Sequence, residues 1–290
     1  MKHALWIIAL VGVTVLGDRL GGAVLRHVVD DSQFRYSRLY NGRAGADIVF
    51  MGNSRGLSFY EPHVRQLTGR TSFNLSYNAM PMDLGYTLFQ DYLRRNPAPR
   101  NLIIEVSMCD RRNKALVVSF GCYAPYSPEL ASLIHAYDQK MGVAGEVINL
   151  VRYNSEVFQR ALYYLKRSDE NWLINRTISK NMINALTARK PYELKVASNE
   201  ILQNLVKTVK LAQSKGIQVH LVVNPYLPGF AAKLGHLEAW KAQIATATGL
   251  PVTDYSNAVQ GNELFADYQH LNVKGSYQLI SLLKKDAILQ

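Results

Sequence analysis

The stretch DIVFMGNSRGLSFYEP, Asp47 to Pro62, decides the fold because it joins a predicted strand to a tight turn. Residues 48–51 (IVFM) form a short apolar run, and residues 52–56 (GNSRG) follow at once with types that favour turns and helix starts. In open α/β sheets, ligands and chemistry lie in the crevice at the carboxyl ends of the strands. Ser54 therefore has two interpretations: a nucleophile at the end of a strand, or a small residue in a turn.

Short apolar strands alternate with helical segments along the chain after this stretch. In one such segment, apolar residues recur at helical spacing from Ile201 to Val209, and Gly216 ends the predicted helix just before a strand. This alternation predicts an α/β fold of three layers, with helices on both faces of a mostly parallel sheet. The predicted strands are Ile48–Met51, Ser72–Leu75, Leu102–Val106, Gln218–Val223 and Val252–Tyr255.

Residues 111–200 interrupt the alternation. This interval is rich in tyrosine and basic residues, and it contains helix-like sequence but no persuasive strand. We expect a helical insertion over the active edge of the sheet, which forms either a lid or a partner surface.

The composition is that of a globular protein with a basic surface. The 290 residues carry a formal net charge of +11, which is compatible with nucleic acid, an anionic membrane surface or an acidic polymer as neighbour. The basic residues are scattered in twos and threes, and no nucleic-acid-binding signature is present, so no nucleic-acid partner is expected. Cys109 and Cys122 match no metal or redox pattern, and they either pair or remain free thiols.

The N-terminus predicts a membrane anchor. Residues 4–17 (ALWIIALVGVTVLG) are apolar without interruption, and after Asp18-Arg19 the apolar character resumes through residues 20–25. The first run has the length of a signal-peptide core, whereas a helix from Ala4 to Leu25 is long enough for a hydrocarbon layer of about 30 Å. No small-x-small cleavage site follows, so we expect an uncleaved anchor over residues 1–28, with Asp18 and Arg19 near the far interface.

Two observations leave this topology open. Lys2 favours an N-terminus inside the cell, but Arg19 and Arg26 on the other flank weaken the charge argument. The alternative is a buried amphipathic helix of a soluble protein.

A serine nucleophile needs a base, and among the seven histidines His270 has the most suggestive surroundings. In FADYQHLNVKG, Asp267 precedes His270 by three residues, after the last predicted strand and before the final helix. One turn of chain at that separation brings a carboxylate to the imidazole Nδ1 and leaves Nε2 facing outward. The alternative is a surface loop with an accidental Asp-x-x-His. No metal site is expected, because the spacing indicates no further ligands.

Together, IVFMGNSRG and FADYQHLNVKG resemble the first and last sequence blocks of the SGNH, or GDSL-like, hydrolase superfamily. The resemblance is strongest to membrane-anchored bacterial esterases and O-acyltransferases, whose anchor and a YSRLY-like stretch precede the serine. It covers most of the chain from Asp47 onward except the insertion. It implies a flavodoxin-like fold, with residues 1–28 as a signal anchor and residues 29–290 as the hydrolase-like domain.

The same resemblance assigns roles to individual residues. It implies Ser54 as nucleophile, His270 as general base and then acid, and Asp267 as the group that orients His270. The oxyanion hole would use the Ser54 N–H and a second-block donor, best matched by Ser76 and less certainly by Asn78. The chain departs from the family in lacking the second-block glycine and in having IIEVSMCD in place of the third block's Gly-x-Asn-Asp. These departures affect the oxyanion hole, where loss of one donor slows catalysis by roughly 10²–10³-fold.

The predicted function is that of a single-pass protein of the bacterial inner membrane with an extracytoplasmic, periplasmic enzyme domain. It would transfer or hydrolyse acetyl or other short acyl groups on a cell-surface polysaccharide, without a cofactor. Arg55 either attracts an anionic substrate or pairs with an acid. Related anchored proteins imply a multispanning membrane acyltransferase as partner. The rival function is a catalytically weak binding or scaffold protein in a cell-envelope glycan assembly.

Overall fold

The computed structural model describes residues 2–169 and 171–290, and of Lys2 only the backbone. Met1 in the predicted anchor, Glu170 in the predicted insertion and the side-chain charge of Lys2 therefore lie outside the described residues.

A five-stranded parallel sheet forms the centre of the fold, in the order β2-β1-β3-β5-β7. Counted among themselves, these strands have the order 2-1-3-4-5 of flavodoxin-like sheets. The predicted α/β class is thus confirmed, and all five predicted strands are present to within one residue at each end. The strands are β1 Ile48–Met51, β2 Ser72–Asn74, β3 Asn101–Glu105, β4 Tyr192–Glu193, β5 Gln218–Val223, β6 Leu234–Gly235 and β7 Val252–Asp254.

The central strands are apolar because both faces of the sheet are covered. Every residue of β1 and β3 is buried, whereas the edge strand β7 is half-buried or exposed. Continuous apolar runs are typical of strands in a parallel sheet with helices on both faces.

The α-helices of the described chain are, in chain order, α1 Lys2–Asp31, α2 Arg35–Tyr40, α3 Glu61–Thr68, α4 Met82–Arg95, α5 Lys114–Ser119, α6 Pro128–Tyr137, α7 Gln139–Val147, α8 Glu156–Tyr163, α9 Lys180–Asn184, α10 Asn199–Ser214, α11 Pro228–Ala231, α12 Leu237–Thr248 and α13 Val273–Lys285. Those that flank the central sheet pack in two groups. Helix α4 packs against α10 and α10 against α12, while α3 packs against α13. From β1 the chain crosses to β2 on one side, and from β2 it returns past β1 to β3 on the other side. Because both crossovers are right-handed, they place α3 and α4 on opposite faces of the sheet.

Contacts within the chain divide it into two compact units. The first holds the described residues of 1–43 and 114–170 and is helical, and the second holds residues 44–113 and 171–290 with both sheets. The predicted boundary between residues 28 and 29 falls inside α1, because that helix continues to Asp31. The expectation that residues 111–200 contain no strand was wrong, since β4 pairs with β6; two residues are too few for a periodic signal.

The first half of helix α1 is exposed. Residues 3–17 are exposed, so this helix is not the buried amphipathic helix of a soluble protein. Within the described chain, α1 alone is long and apolar enough to cross a membrane, a property that a signal sequence shares.

The two cysteines are free and buried. Burial raises the pKa of both thiols, which keeps them protonated and weakly reactive.

Helix α13 begins very close to the loop before it. The Asn272 side chain caps the helix by accepting from the Lys274 and Gly275 N–H groups, both at 3.1 Å, and its amide donates to the Glu263 carbonyl at 2.7 Å. A Cβ at Gly275 would overlap the Leu264 carbonyl oxygen and lie 2.8 Å from the Leu271 side chain. Glycine is therefore required for this close approach.

We expect Gly275→Ala to lower the free energy of unfolding by about 1–3 kcal/mol, because the added methyl group meets backbone that cannot rotate away. The neighbouring Lys274 is exposed, so Lys274→Ala is the matched control and should stay within about 0.5 kcal/mol of the parent protein. Urea unfolding followed by circular dichroism measures both. Equal stability of the two variants would show that the loop yields to the methyl group.

Candidate functional site

Ser54 lies at the carboxyl edge of the sheet, as the first residue of a 3-10 helix, Ser54–Ser58, that follows β1. The Asn53 side chain accepts from the Arg55 N–H at 3.0 Å and so fixes the turn. A Cβ at Gly52 would lie 2.9 Å from Glu105 Cβ, so a glycine lets the turn after β1 pass close to the end of β3. Since β2 and β3 flank β1 on opposite sides, Ser54 lies at the point where the strand order reverses.

His270 lies on a tight loop that is closed by its own backbone contacts. The Ala266 N–H donates to the His270 carbonyl at 2.9 Å, and Phe265 bridges Leu271 in antiparallel fashion. Inside the loop, Asp267 Oδ1 accepts from the backbone N–H groups of Gln269 and His270 at 2.8 and 3.0 Å. These bonds set the carboxylate beside the imidazole of the same loop.

Ser54, His270 and Asp267 form a continuous hydrogen-bonded chain. His270 Nε2 lies 2.8 Å from Ser54 Oγ, and Nδ1 lies 2.9 Å from each carboxylate oxygen of Asp267. With the proton on Nδ1, the imidazole donates to Asp267 and accepts from the serine hydroxyl. All three residues are half-buried, so they remain accessible to a substrate.

The Asp267 carboxyl is held in its charged form. Burial raises its pKa, but the hydrogen bond and charge of His270 and the two backbone N–H groups together hold the pKa below its usual range. The stability that this carboxylate contributes is therefore present above its ordinary pKa and is lost as the pH falls through the lower value of the folded state. Asp267 is thus an anion wherever His270 acts as a base.

Arg55 does not face solvent but lies beneath the site, with 4% of its surface exposed. Its Nε donates to Glu105 Oε1 at 3.3 Å, one terminal nitrogen donates to the Gln269 carbonyl at 3.2 Å, and the other donates to the Asn224 carbonyl. The guanidinium also stacks on the Tyr226 ring, 3.4 Å from its centroid. The arginine therefore joins the ends of β3 and β5 to the histidine loop.

The acid that pairs with Arg55 belongs to a further set of buried polar groups. The Ser107 hydroxyl donates to Glu105 Oε2 at 2.5 Å, and Asn53 Nδ2 donates to the Ser107 hydroxyl at 3.0 Å. Residues of the atypical third block thus hold the turn that carries Ser54. They are part of the framework under the nucleophile.

The two residues predicted as second-block oxyanion donors are placed differently. The Ser76 side chain is buried against Gly56, and its backbone N–H donates to Asn74 Oδ1 at 2.9 Å. Asn78 is exposed and lines the same cleft as Ser54. The geometry therefore favours Asn78 over Ser76, and the oxyanion assignment stays a prediction.

Ala79, next to Asn78, has an unusual backbone. Its φ of 54° lies in the left-handed region, within a turn closed by the Met80 N–H to the Tyr77 carbonyl at 3.1 Å. Non-glycine residues rarely adopt this conformation, and such strain is concentrated at functional sites. The sequence offered no signal for Ala79, because alanine is not a residue that predicts a positive φ.

A cleft of about 390 Å³ opens over Ser54 and His270. One wall is apolar and comes from Trp172, Leu173 and Ile174, which lie within the predicted insertion. Among the described residues, two arginines line the cleft, the buried Arg55 and the partly exposed Arg111, which is bound by both oxygens of Asp110 at 2.5 and 2.7 Å. Sequence reasoning missed these wall residues, because nothing in their spacing relates them to the serine or histidine.

Comparison with known proteins gives a limited result. No family model matches the chain, and no curated protein matches it. Among solved structures, a GDSL-like lipase from Bacteroides thetaiotaomicron is similar with 14% sequence identity and a TM-score of 0.40, over 83% of this chain and 86% of that chain.

We expect Arg55→Met to lower the free energy of unfolding by about 3–5 kcal/mol, because it leaves the Glu105 carboxylate buried without its cation. Arg111→Met is the matched control: Arg111 is also paired with an acid but is partly exposed, so its loss should cost about 1 kcal/mol or less. Urea unfolding measures both changes. In the double variant Arg55→Met/Glu105→Leu, the loss should be smaller than in Arg55→Met alone.

If Arg55 instead attracts an anionic substrate, the opposite result is expected for the stability of Arg55→Met. Arg55→Met would then unfold like the parent protein, and only KM for an anionic ester would rise.

Proposed function

We propose that this chain is a membrane-anchored serine enzyme that acts on ester bonds, as an esterase or O-acyltransferase. The observation that carries the proposal is the hydrogen-bonded chain from Ser54 Oγ through His270 to Asp267. A hydroxyl at 2.8 Å from an imidazole whose other nitrogen faces a carboxylate is the arrangement that activates a serine.

The first half of the reaction forms an acyl-serine. Ser54 Oγ attacks the ester carbonyl carbon while His270 Nε2 accepts the hydroxyl proton, and Asp267 stabilises the resulting imidazolium. The carbonyl oxygen becomes an oxyanion, for which the Ser54 N–H and the turn at Asn78–Ala79 are the proposed donors. When the tetrahedral intermediate collapses, His270 returns the proton to the leaving alcohol.

The second half removes the acyl group. An acceptor hydroxyl gives its proton to His270 Nε2 and attacks the acyl carbon, and Ser54 Oγ leaves after it regains that proton. Water as acceptor yields an acid, and a sugar hydroxyl yields a new ester.

The cleft supports a short acyl group on a larger, open-ended substrate. Its volume is at the lower end of ligand pockets, and the side chains of Trp172 and Leu173 offer an apolar surface to an acyl chain. An acetyl ester of a cell-surface polysaccharide fits these properties. Both arginines that line the cleft in the described part of the chain are already paired, Arg55 with Glu105 and Arg111 with Asp110, which favours a neutral ester.

The location follows from α1. We propose that α1 anchors the chain in the bacterial inner membrane by a single span, with the remainder extracytoplasmic in the periplasm. A polysaccharide acyl donor or acceptor is then within reach of the enzyme, and a multispanning acyltransferase is a partner of suitable chemistry. Support comes from the length and exposed apolar surface of α1.

We expect a fluorophosphonate probe to label the purified full-length chain at Ser54. Ser54→Ala and His270→Ala should each reduce labelling at least about 10³-fold, and the double variant should be little worse, because the residues act as a unit. Asp267→Asn should do less damage, since it keeps the imidazole but favours the wrong tautomer. Labelling is measured by gel fluorescence, and peptide mapping identifies the serine.

The control is Ser58→Ala, a serine of the same short helix whose hydroxyl donates to the Arg55 carbonyl at 2.7 Å and lies outside the hydrogen-bonded chain to His270. It should keep its labelling. If the parent protein is not labelled although folded, the chain is the binding or scaffold protein of the rival hypothesis.

A second measurement separates hydrolysis from transfer. With p-nitrophenyl acetate and an added oligosaccharide, a hydrolase releases acetate and nitrophenolate in equal amounts at every sugar concentration. In a transferase, acetate release falls below nitrophenolate release as the sugar acceptor is added.

A further inference from the structure

The surface beside α1 exposes apolar side chains, while its polar groups form hydrogen bonds within the chain. We call residues 141–150, which comprise most of α7 and the start of the following 3-10 helix, the interface segment. Val147, Ile148 and Leu150 are 61%, 46% and 41% exposed, and Met141 and Val143 are exposed as well. Exposed apolar side chains that cluster in this way mark a contact with a partner or a membrane.

The interface segment is bound to α1 at the charged pair that interrupts the apolar run. Asp18 accepts from the backbone N–H groups of Asn149 and Leu150 at 2.9 and 3.0 Å. Arg19 donates to the Val147 carbonyl at 3.1 Å. The two charges therefore serve backbone groups of the segment, which makes them tolerable where water is scarce.

Two glycines of α1 bring the segment into direct contact with the helix. A Cβ at Gly21 would lie 3.1 Å from Leu150 Cδ2, and a Cβ at Gly22 would lie 2.5 Å from Asn149 Cβ. The segment is thus at the level of residues 18–22 of the helix. The acid within it, Glu146, is bound by His135 Nε2 at 2.7 Å.

The length of the apolar helix argues for lipid as the occupant of this surface. Residues 4–17 span only about 21 Å at 1.5 Å per residue, which is short of a hydrocarbon layer of about 30 Å. The exposed stripe Val13, Leu16, Leu20 and Val24 continues past Asp18 on the same helix. An apolar zone that reaches Val24 spans about 32 Å from Ala4, and the interface segment lies at its far end.

We propose that the interface segment inserts its apolar side chains into the membrane interface beside α1, and that Asp18 clamps it there. The proposal rests on the anchoring role of α1 and is independent of the chemistry at Ser54. The bilayer boundary then lies beyond Asp18 and Arg19. The segment covers Asp18, whose side chain is 12% exposed, whereas Arg19 donates to the segment's Val147 carbonyl and stays 51% exposed.

The test uses single cysteines labelled with the fluorophore NBD in the full-length chain, reconstituted in phosphatidylcholine vesicles that contain some phosphatidylglycerol. Leu10→Cys reports the anchor, and Ile148→Cys reports the interface segment. Leu162→Cys is the matched control: it is 50% exposed and follows Ala161, whose carbonyl accepts from Ser32 just past the end of α1. The parent protein, treated with the same fluorophore, gives the background labelling of the buried Cys109 and Cys122.

We expect nitroxide lipids with a mid-chain label to quench Leu10→Cys, and nitroxides near the headgroup to quench Ile148→Cys. Aqueous iodide should quench Leu162→Cys alone. Two outcomes at Ile148→Cys overturn the proposal. Quenching by iodide alone would place the segment in water, and protection from both quenchers would mean that a second copy or another protein covers it. If lipid nitroxides also fail at Leu10→Cys, the anchor itself is refuted.

A second variant tests the clamp. Asp18→Ala removes the acceptor for two backbone N–H groups, so headgroup quenching at Ile148→Cys should fall by about twofold or more while Leu10→Cys is unchanged. Unchanged quenching at both positions overturns the role of Asp18. Fluorophosphonate labelling of the same samples reports the Ser54 chemistry separately, so failure of the proposed activity is distinguishable from failure of the membrane contact.

Discussion

A buried guanidinium organises the carboxyl edge of the sheet. Arg55 follows the nucleophile in sequence, pairs with Glu105 at the end of β3, and reaches the Asn224 and Gln269 carbonyls. A buried ion pair contributes little net stability, but the hydrogen bonds of Arg55 fix the positions of the groups that they join. Because Gln269 lies between Asp267 and His270, Arg55 links the position of the base to that of the nucleophile.

The order of the sheet explains why residues far apart in sequence meet here. Parallel strands all place their carboxyl ends at one edge, and β1 lies where the connections change direction. Ser54 therefore stands in a crevice that the loop before α13 can reach, 216 residues further along the chain. The Asn272 cap and the close approach at Gly275 then fix that loop to the start of the last helix.

The N-terminal helix presents a different physical problem, since its apolar surface over residues 3–17 is left exposed by the described part of the chain. Past that point the charges of Asp18 and Arg19 are taken up by backbone groups of residues 147–150. A helix interrupted by an acid and a base can still border lipid when neighbouring backbone satisfies both. The apolar surface of α1 and the charged pair that interrupts it are therefore compatible, because residues 147–150 form hydrogen bonds with both charges.

The sequence by itself determined the strands, the alternation with helices and the local Asp267–His270 pair, because each depends on neighbours within a few residues. The four-residue apolar run of β1 is a fully buried strand because the parallel sheet is covered on both faces. An Asp-x-x-His pair needs only one turn of chain to meet. The family resemblance then related this pair to Ser54, which no local pattern could do.

Only the tertiary structure decided which polar residues face the cleft and which lie beneath it. Arg55 is buried because β3 supplies Glu105, and Arg111 reaches the cleft although its sequence context resembles that of other basic pairs. Ala79 adopts a positive φ, and Trp172 forms a wall from a segment whose composition indicated only an insertion. These outcomes depend on side chains brought together across the fold, and a linear pattern contains no information about such distances.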